Sequence, residues 1–141
     1  MATEKMLAVV KTHPQPGVEL RHVDIPRCRP HEVLVRLRAM SICGTDLHIY
    51  HWDHWAQGRL TLPRIVGHEA AGEVVEVGAE VQGIAVGDLV SAETHIPCGH
   101  CYQCRTGKPE ICQHPKILGI DTGCSGSHVQ WPPGDPGSRR C

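Results

Sequence analysis

Short apolar runs punctuated by glycine and proline dominate the first ninety residues, and several alternate with a period of two. Met6 to Val10 reads as a strand, and Val18 to Val23 reads as its partner across the turn Pro14-Gln15-Pro16-Gly17. Pro26 to Pro30 reads as a loop. Between Glu32 and Ile42, Val33, Val35, Leu37 and Ala39 fall on one side and Arg36 and Arg38 on the other, the pattern of a half-buried strand. At Cys43-Gly44-Thr45-Asp46-Leu47-His48 the pattern becomes compatible with a helix, with Thr45 or Asp46 able to cap it. Trp52 to Pro63 is polar and reads as a loop. Ile65 to Gly78 reads as one long strand bent at Gly72, and Val86-Gly87-Asp88-Leu89-Val90 reads as a turn entering another strand. From about Gly123 the periodicity stops. Pro132-Pro133-Gly134-Asp135-Pro136-Gly137 can continue neither a strand nor a helix, so residues 123–141 are expected to be a disordered tail.

Composition sharpens this outline. A chain of 141 residues is long enough for one domain with its own core. Phe is absent and aromatic residues make up only 4%, so that core must be built from Val, Ile, Leu and Ala. The 15 glycines and 11 prolines favour a turn-rich, mainly β architecture over a helix bundle. The net charge of −1 and the lack of long basic runs argue against nucleic acid or an acidic membrane as partner. No apolar stretch is as long as a membrane span, and residues 1–11 lack a signal-peptide layout, which makes the cytoplasm the expected compartment.

In a reducing compartment the eight cysteines point to metal before disulfides. Cys98, Cys101, Cys104 and Cys112 form C-x2-C-x2-C-x7-C, and four thiolates on one short loop can close a tetrahedral shell around Zn²⁺. A disulfide pair is the plainer alternative. Cys28, Cys124 and Cys141 fit no site and read as free thiols. Thirty residues upstream of the cluster, Gly67-His68-Glu69 offers two further zinc-ligand types, and Cys43 a third. Cys43 ends one predicted strand and opens a predicted helix, where backbone amides favour the thiolate. Adjacent residues on a regular strand face opposite sides, so His68 and Glu69 can share an ion only where the backbone is distorted. Otherwise His68 ligates while Glu69 supports it or exchanges in. A buried structural histidine is the alternative for His68.

Thr45 and His48 are three apart and share a helical face. A hydroxyl beside a metal-bound alcohol can pass a proton to an imidazole that reaches solvent. A capping threonine and a surface histidine are the plain alternative. His51 and His54 read as exposed loop histidines before a further metal site, and Trp52 and Trp55 as wall or interface.

Gly67-His68-Glu69-Ala70-Ala71-Gly72, followed by Gly78 and Val81, resembles the signature of the zinc-containing, medium-chain alcohol dehydrogenases, and the cysteine quartet resembles their structural-zinc lobe. Ser41 to Ile49, Trp52-Asp53, Trp55 to Arg59 and Glu93-Thr94-His95-Ile96 resemble more narrowly the threonine-oxidising branch. Polyol and butanediol enzymes share both zinc motifs, so the substrate choice rests on the Trp52–Arg59 and Glu93–Ile96 stretches alone.

The resemblance covers roughly residues 5 to 122. It implies a GroES-like, partly open β-barrel with short helices over 1–122, and two zinc ions per chain. Catalytic zinc would sit on Cys43, His68 and Glu69, and structural zinc on Cys98, Cys101, Cys104 and Cys112. It also implies a Thr45–His48 relay, hydride transfer from a small secondary alcohol to NAD⁺, and a homotetramer. In such enzymes a Rossmann domain holds NAD, and this chain has no G-x-G-x-x-G, so no NAD site is expected within it. The tail is what a reading-frame change in GC-rich DNA would give, and lost strands would leave a sheet edge unpaired. Three readings follow: an enzyme's catalytic domain inactive alone, a zinc-binding module without chemistry, or a non-functional fragment.

Overall fold

The computed structural model describes residues 4–121 and the backbone of a strand at 128–131. The architecture is mainly β. Strand β1 (Lys5–Lys11) buries Met6, Ala8 and Val10 on one face and pairs antiparallel with β2 (Glu19–Asp24) across the predicted turn. The short β4 (Arg64–Ile65) takes the other side of β1, giving the order β2-β1-β4. A second sheet has four strands: β6 (Leu89–Ser91), β5 (Glu69–Val77), β3 (Val33–Ser41) and β9 (His128–Trp131), adjacent in that order. The described pairings do not join the two sheets edge to edge, which leaves the barrel partly open.

Among the described residues, two apolar clusters fill the interior. Val33, Val35, Val74 and Leu118 form one, and Ile49, Ala56, Leu60, Val66 and Ile120 form the other, with Val9, Trp52 and Ile117 packed against it. The second cluster holds α1 (Gly44–His51) and α2 (His54–Arg59) on the barrel. Strands β7 (His95–Ile96) and β8 (Lys116–Ile117) make the stem of the cysteine lobe, which contains α3 (Tyr102–Arg105) and a 3-10 turn at Pro109–Ile111. No helix among the described residues is long and apolar enough to cross a membrane.

Four expectations need correction. The simple alternation of β3 fails, because Leu34 is buried beside Val33 and Val35 while Ala39 is exposed. Register shifts between Leu34 and Val35 and between Leu37 and Ala39 are the cause, since each bulge changes which side chain faces inward. The predicted loop from Trp52 to Pro63 contains α2. Trp52 turns left-handed (φ 56°) to end α1, and the Asp53 carboxylate accepts the Ala56 N–H at 3.1 Å to start the next helix. The strand predicted from Ile65 to Gly78 is two strands in different sheets, β4 and β5, parted by the turn at Gly67 (φ +109°). Within the tail expected to be disordered, β9 pairs with β3 from Val33 to Arg36, so the edge expected to be bare is partly covered there. An exposed strand edge is a ready template for such pairing. The remaining tail, with Cys124 and Cys141, lies outside the described residues.

Gly72 lies within β5, where it pairs closely with β3. A Cβ at this position would collide with the Arg36 carbonyl and press on Val35, so the bare α-carbon is what lets β3 and β5 approach. Gly72→Ala is therefore expected to destabilise the chain by about 2 kcal/mol, the scale of overpacking strain, read as a lowered urea midpoint. A change under about 0.5 kcal/mol would show that the strands can part without cost. Beside the bulge, Arg38 and Arg36 donate to Glu73 at 2.7 and 3.3 Å and hold its carboxyl below the usual range. This clamp acts above the ordinary glutamate pKa and is lost only as pH falls through the lowered value.

Candidate metal centres

The cysteine lobe brings together the four sulfurs that the spacing predicted. One ligand atom from each of Cys98, Cys101, Cys104 and Cys112 lies within 4.8 Å of the others. All four are free thiols, with Cys101 Sγ at 3.5 Å from Cys104 Sγ and 3.9 Å from Cys112 Sγ. These separations are far beyond a disulfide bond. A zinc–sulfur bond of about 2.3 Å sets tetrahedral thiolates about 3.8 Å apart, so the cluster fits the ion.

Backbone amides already favour the thiolates. The N–H groups of Cys98 and His114 point to Cys112 Sγ at 3.3 Å, and that of Cys101 to Cys98 Sγ at 3.4 Å. Hydrogen bonds from the backbone around Cys104 and Gln113 bring the Cys101 thiol down to about 6, and burial with the neighbouring sulfurs pushes Cys104 up to about 12. Without a cation the sulfurs cannot all ionise together; a divalent ion removes that conflict.

The second centre forms at a corner. β3 ends at Ser41, and Cys43 is the residue that caps α1, with its backbone N–H donating to the Asp46 carboxylate at 2.9 Å. The cap is thus Cys43 with Asp46 closing a capping box, where Thr45 or Asp46 itself was expected. From the other side, the chain leaves β4, turns at Gly67 in a conformation that favours glycine, and enters β5 at Glu69. His68 sits at the turn and Glu69 opens the strand, so the strict alternation of a regular strand does not separate them. Cys43, His68 and Glu69 each offer a ligand atom within 4.8 Å of the other two, and Cys43 Sγ lies 3.1 Å from His68 Nε2.

His68 is buried, and its Nδ1 has no hydrogen-bond partner within reach among the described residues. Asp46 Oδ1 stands 3.6 Å from that nitrogen. A negative carboxylate this near favours the tautomer with its proton on Nδ1, which leaves Nε2 free as a ligand. Glu69 is held ionised mainly by the Ser41 hydroxyl, with smaller help from Cys43 and His68. One soft sulfur, one imidazole and one carboxylate are a donor set suited to zinc with a position left for substrate.

Thr45 and His48 lie on α1 as expected, half-buried and exposed respectively. The described contacts include no direct Thr45–His48 hydrogen bond. His48 Nδ1 instead meets Asp53 Oδ2 at 2.5 Å, and its ring leans on Trp55 with centroids 5.8 Å apart. The His48 bond is the largest influence that keeps the Asp53 carboxyl below its ordinary range. Sequence reasoning missed Asp53, Asp46 and Ser41 as partners of the site residues. Only the first two left a signal, as acids placed to cap the two helices. His51 meets Tyr50 edge-on, and neither it nor His54 belongs to a metal-capable group among the described residues. Trp52 packs on the second core cluster.

A model of the alcohol dehydrogenase GroES-like domain matches residues 29–135. L-threonine 3-dehydrogenase from Pyrococcus furiosus is 59% identical over 120 residues, covering 85% of this chain and 34% of the relative. Its counterpart from Caldanaerobacter subterraneus subsp. tengcongensis is 50% identical over 128 residues, covering 90% and 37%. Among solved structures, a cobalt- and zinc-bound thermostable alcohol dehydrogenase from Pyrobaculum aerophilum superposes with a TM-score of 0.79 at 30% identity, covering 92% of this chain and 40% of its own. An alcohol dehydrogenase from Escherichia coli CFT073 complexed with NADH gives 0.77 at 30% identity, covering 92% and 36%. The chain spans about a third of the length of the relatives it matches. With its mainly β barrel, its cysteine lobe able to hold a metal and a domain model matched over most of its length, the chain belongs to the alcohol dehydrogenase GroES-like domain family of oxidoreductases.

Proposed function

We propose that the chain is the catalytic domain of a zinc- and NAD-dependent L-threonine 3-dehydrogenase, spanning residues 1–122. The observation that carries this reading is the convergence of Cys43, His68 and Glu69 beside the helix that bears Thr45 and His48, in a chain 59% identical to an enzyme of that name. Cys43, His68 and Glu69 would hold the catalytic zinc, and Cys98, Cys101, Cys104 and Cys112 the structural one. Zinc bound at the open site would act as a Lewis acid toward the secondary alcohol of threonine.

The chain's own residues then manage the proton. The Thr45 hydroxyl, two residues from Cys43, accepts it from the alcohol and hands its own to His48. Asp53 occupies His48 Nδ1, so Nε2 takes the proton and releases it to solvent. NAD⁺, held by a nucleotide domain, would take the hydride, and the product would be 2-amino-3-oxobutanoate. Within the same reading the full enzyme works in the cytoplasm as a homotetramer.

The test is a chimera in which residues 1–122 replace the matching part of the Pyrococcus furiosus relative. It is expected to reduce NAD⁺ with threonine and to turn over 2,3-butanediol or sorbitol far more slowly. A preference for the diol or polyol would reassign the substrate, and no turnover with any of them would leave the zinc-module reading. In the same chimera, His48→Ala is expected to slow turnover roughly 10²-fold, the scale of general acid–base catalysis, mainly at low pH. At high pH hydroxide removes the alcohol proton without help. An unchanged pH–rate profile would remove His48 from the relay.

A further inference from the structure

We infer that Ser41 is a positioning residue for the open metal site, its hydroxyl occupying one oxygen of Glu69 so that the carboxylate meets an ion through the other. The inference rests on reading Cys43, His68 and Glu69 as metal ligands. Ser41 Oγ donates to Glu69 Oε2 at 2.5 Å, and the two residues are direct partners across β3 and β5.

That pairing exists because of the second bulge. Before it, Arg36 faces Glu73 and Leu37 faces Gly72; after it, Ala39 faces Ala71 and Ser41 faces Glu69. Arg38 is the extra residue. Were the register of Leu37 and Gly72 carried on unbroken, Met40 would stand opposite Glu69 and Ser41 opposite His68. A thioether cannot donate to a carboxylate. The bulge thus puts a hydroxyl beside Glu69 two residues before Cys43, and bulges beside sites commonly re-aim a side chain in this way.

The chemical consequence follows from carboxylate geometry. A free glutamate can bind an ion through one oxygen or two, and the second oxygen would take the position an alcohol needs. With Oε2 engaged by Ser41, Glu69 counts as one donor, and Cys43, His68 and Glu69 leave a fourth position open.

Ser41→Thr and Ser41→Val make the cleanest comparison, because the two side chains match in shape and only threonine keeps the hydroxyl. Both suit a strand, and Ser41 is exposed, so neither should disturb the fold. The metal-free 141-residue chain is titrated with Co²⁺ and followed by visible absorption, whose ligand-field bands weaken per ion as coordination number rises. The sulfur-rich spectrum of the cysteine lobe serves as the internal control for folding.

The wild-type chain is expected to take up two cobalt ions. Ser41→Val should leave the lobe spectrum intact, bind the second ion roughly 10-fold more weakly, the scale of losing a ligand's supporting hydrogen bond, and show weaker bands for it. Ser41→Thr should restore both. A second site in Ser41→Val with wild-type affinity and band intensity would overturn the role of Ser41 alone. A wild-type chain that binds only the lobe ion would overturn the ligand reading beneath it.

Discussion

Cys104→Ser is expected to release about one equivalent of bound zinc and to unfold the lobe from Cys98 to Cys112. Four thiolates would make the whole shell of an ion held there, and α3, of four residues, and a three-residue 3-10 turn would not stand without it. Apparent binding free energies at four-donor structural sites are on the order of 10 kcal/mol at neutral pH, and that energy is folding energy for the segment that supplies the ligands. Hydrogen exchange should show the lobe amides unprotected in the variant, while those of β3 and β5 around Val35 and Val74 keep most of their protection.

Damage should also reach the root of the lobe. Leu118 is buried in one core cluster and Ile120 in the other, and the Asp121 carboxylate accepts both the Ile117 N–H at 2.8 Å and Arg59 at 2.7 Å. A lower unfolding midpoint, shifted less by chelator than that of the wild type, is the expected global readout. If chelator shifts the midpoint of Cys104→Ser and of the wild type equally, the closed four-sulfur shell is not what braces the chain.

Lys11→Met carries the second large effect. Lys11 is a fully buried side chain, and its Nζ donates to the carbonyls of Gln15 at 2.5 Å, Gly17 at 2.8 Å and Tyr50 at 3.0 Å. Its ammonium also lies 5.5 Å from the centroid of the Trp52 ring. A buried charge survives only when it is solvated by the protein, and here three backbone oxygens and an aromatic face replace water. One of those oxygens belongs to the last turn of α1, so the lysine ties β1 and the turn at Gly17 to the helix carrying Thr45 and His48. Methionine matches the length of the stem but leaves three carbonyls without this donor. The expected loss is about 3 kcal/mol in urea unfolding, the scale of abandoned buried acceptors of a charged donor. A loss below about 1 kcal/mol would mean that water reaches those carbonyls once the lysine is gone.

What the sequence disclosed depended on how local each feature is. The cysteine quartet lies within one short stretch, so its spacing alone predicted the cluster. β1 and β2 pair across a turn written in proline and glycine, and their bounds were legible within a residue or two. The bulges in β3 were not, because a register shift depends on which residue of a distant strand stands opposite, and Arg38 looks like any outward arginine. α2 was hidden for a related reason. Its start comes from one aspartate and one left-handed tryptophan, with too few apolar positions to show a helical period. In the open site, the types of Cys43, His68 and Glu69 were readable, but the turn at Gly67 that lets neighbours serve one centre was not. β9 was concealed by composition, since it owes its place to an open edge on β3.

The corner at Gly67 also bears on the order in which the molecule is built. Cys98 and Cys112 are 14 residues apart, and the lobe sulfurs can meet while the rest of the chain is still random. Cys43 and His68 are 25 apart, and they meet only after β3 has found β5 and β4 has found β1. Contacts of that kind form late, because long loops must close before anything rewards the closure. Were each centre to take an ion, the two would therefore arrive at different times during refolding: one early, nucleating its lobe, the other entering a nearly finished barrel.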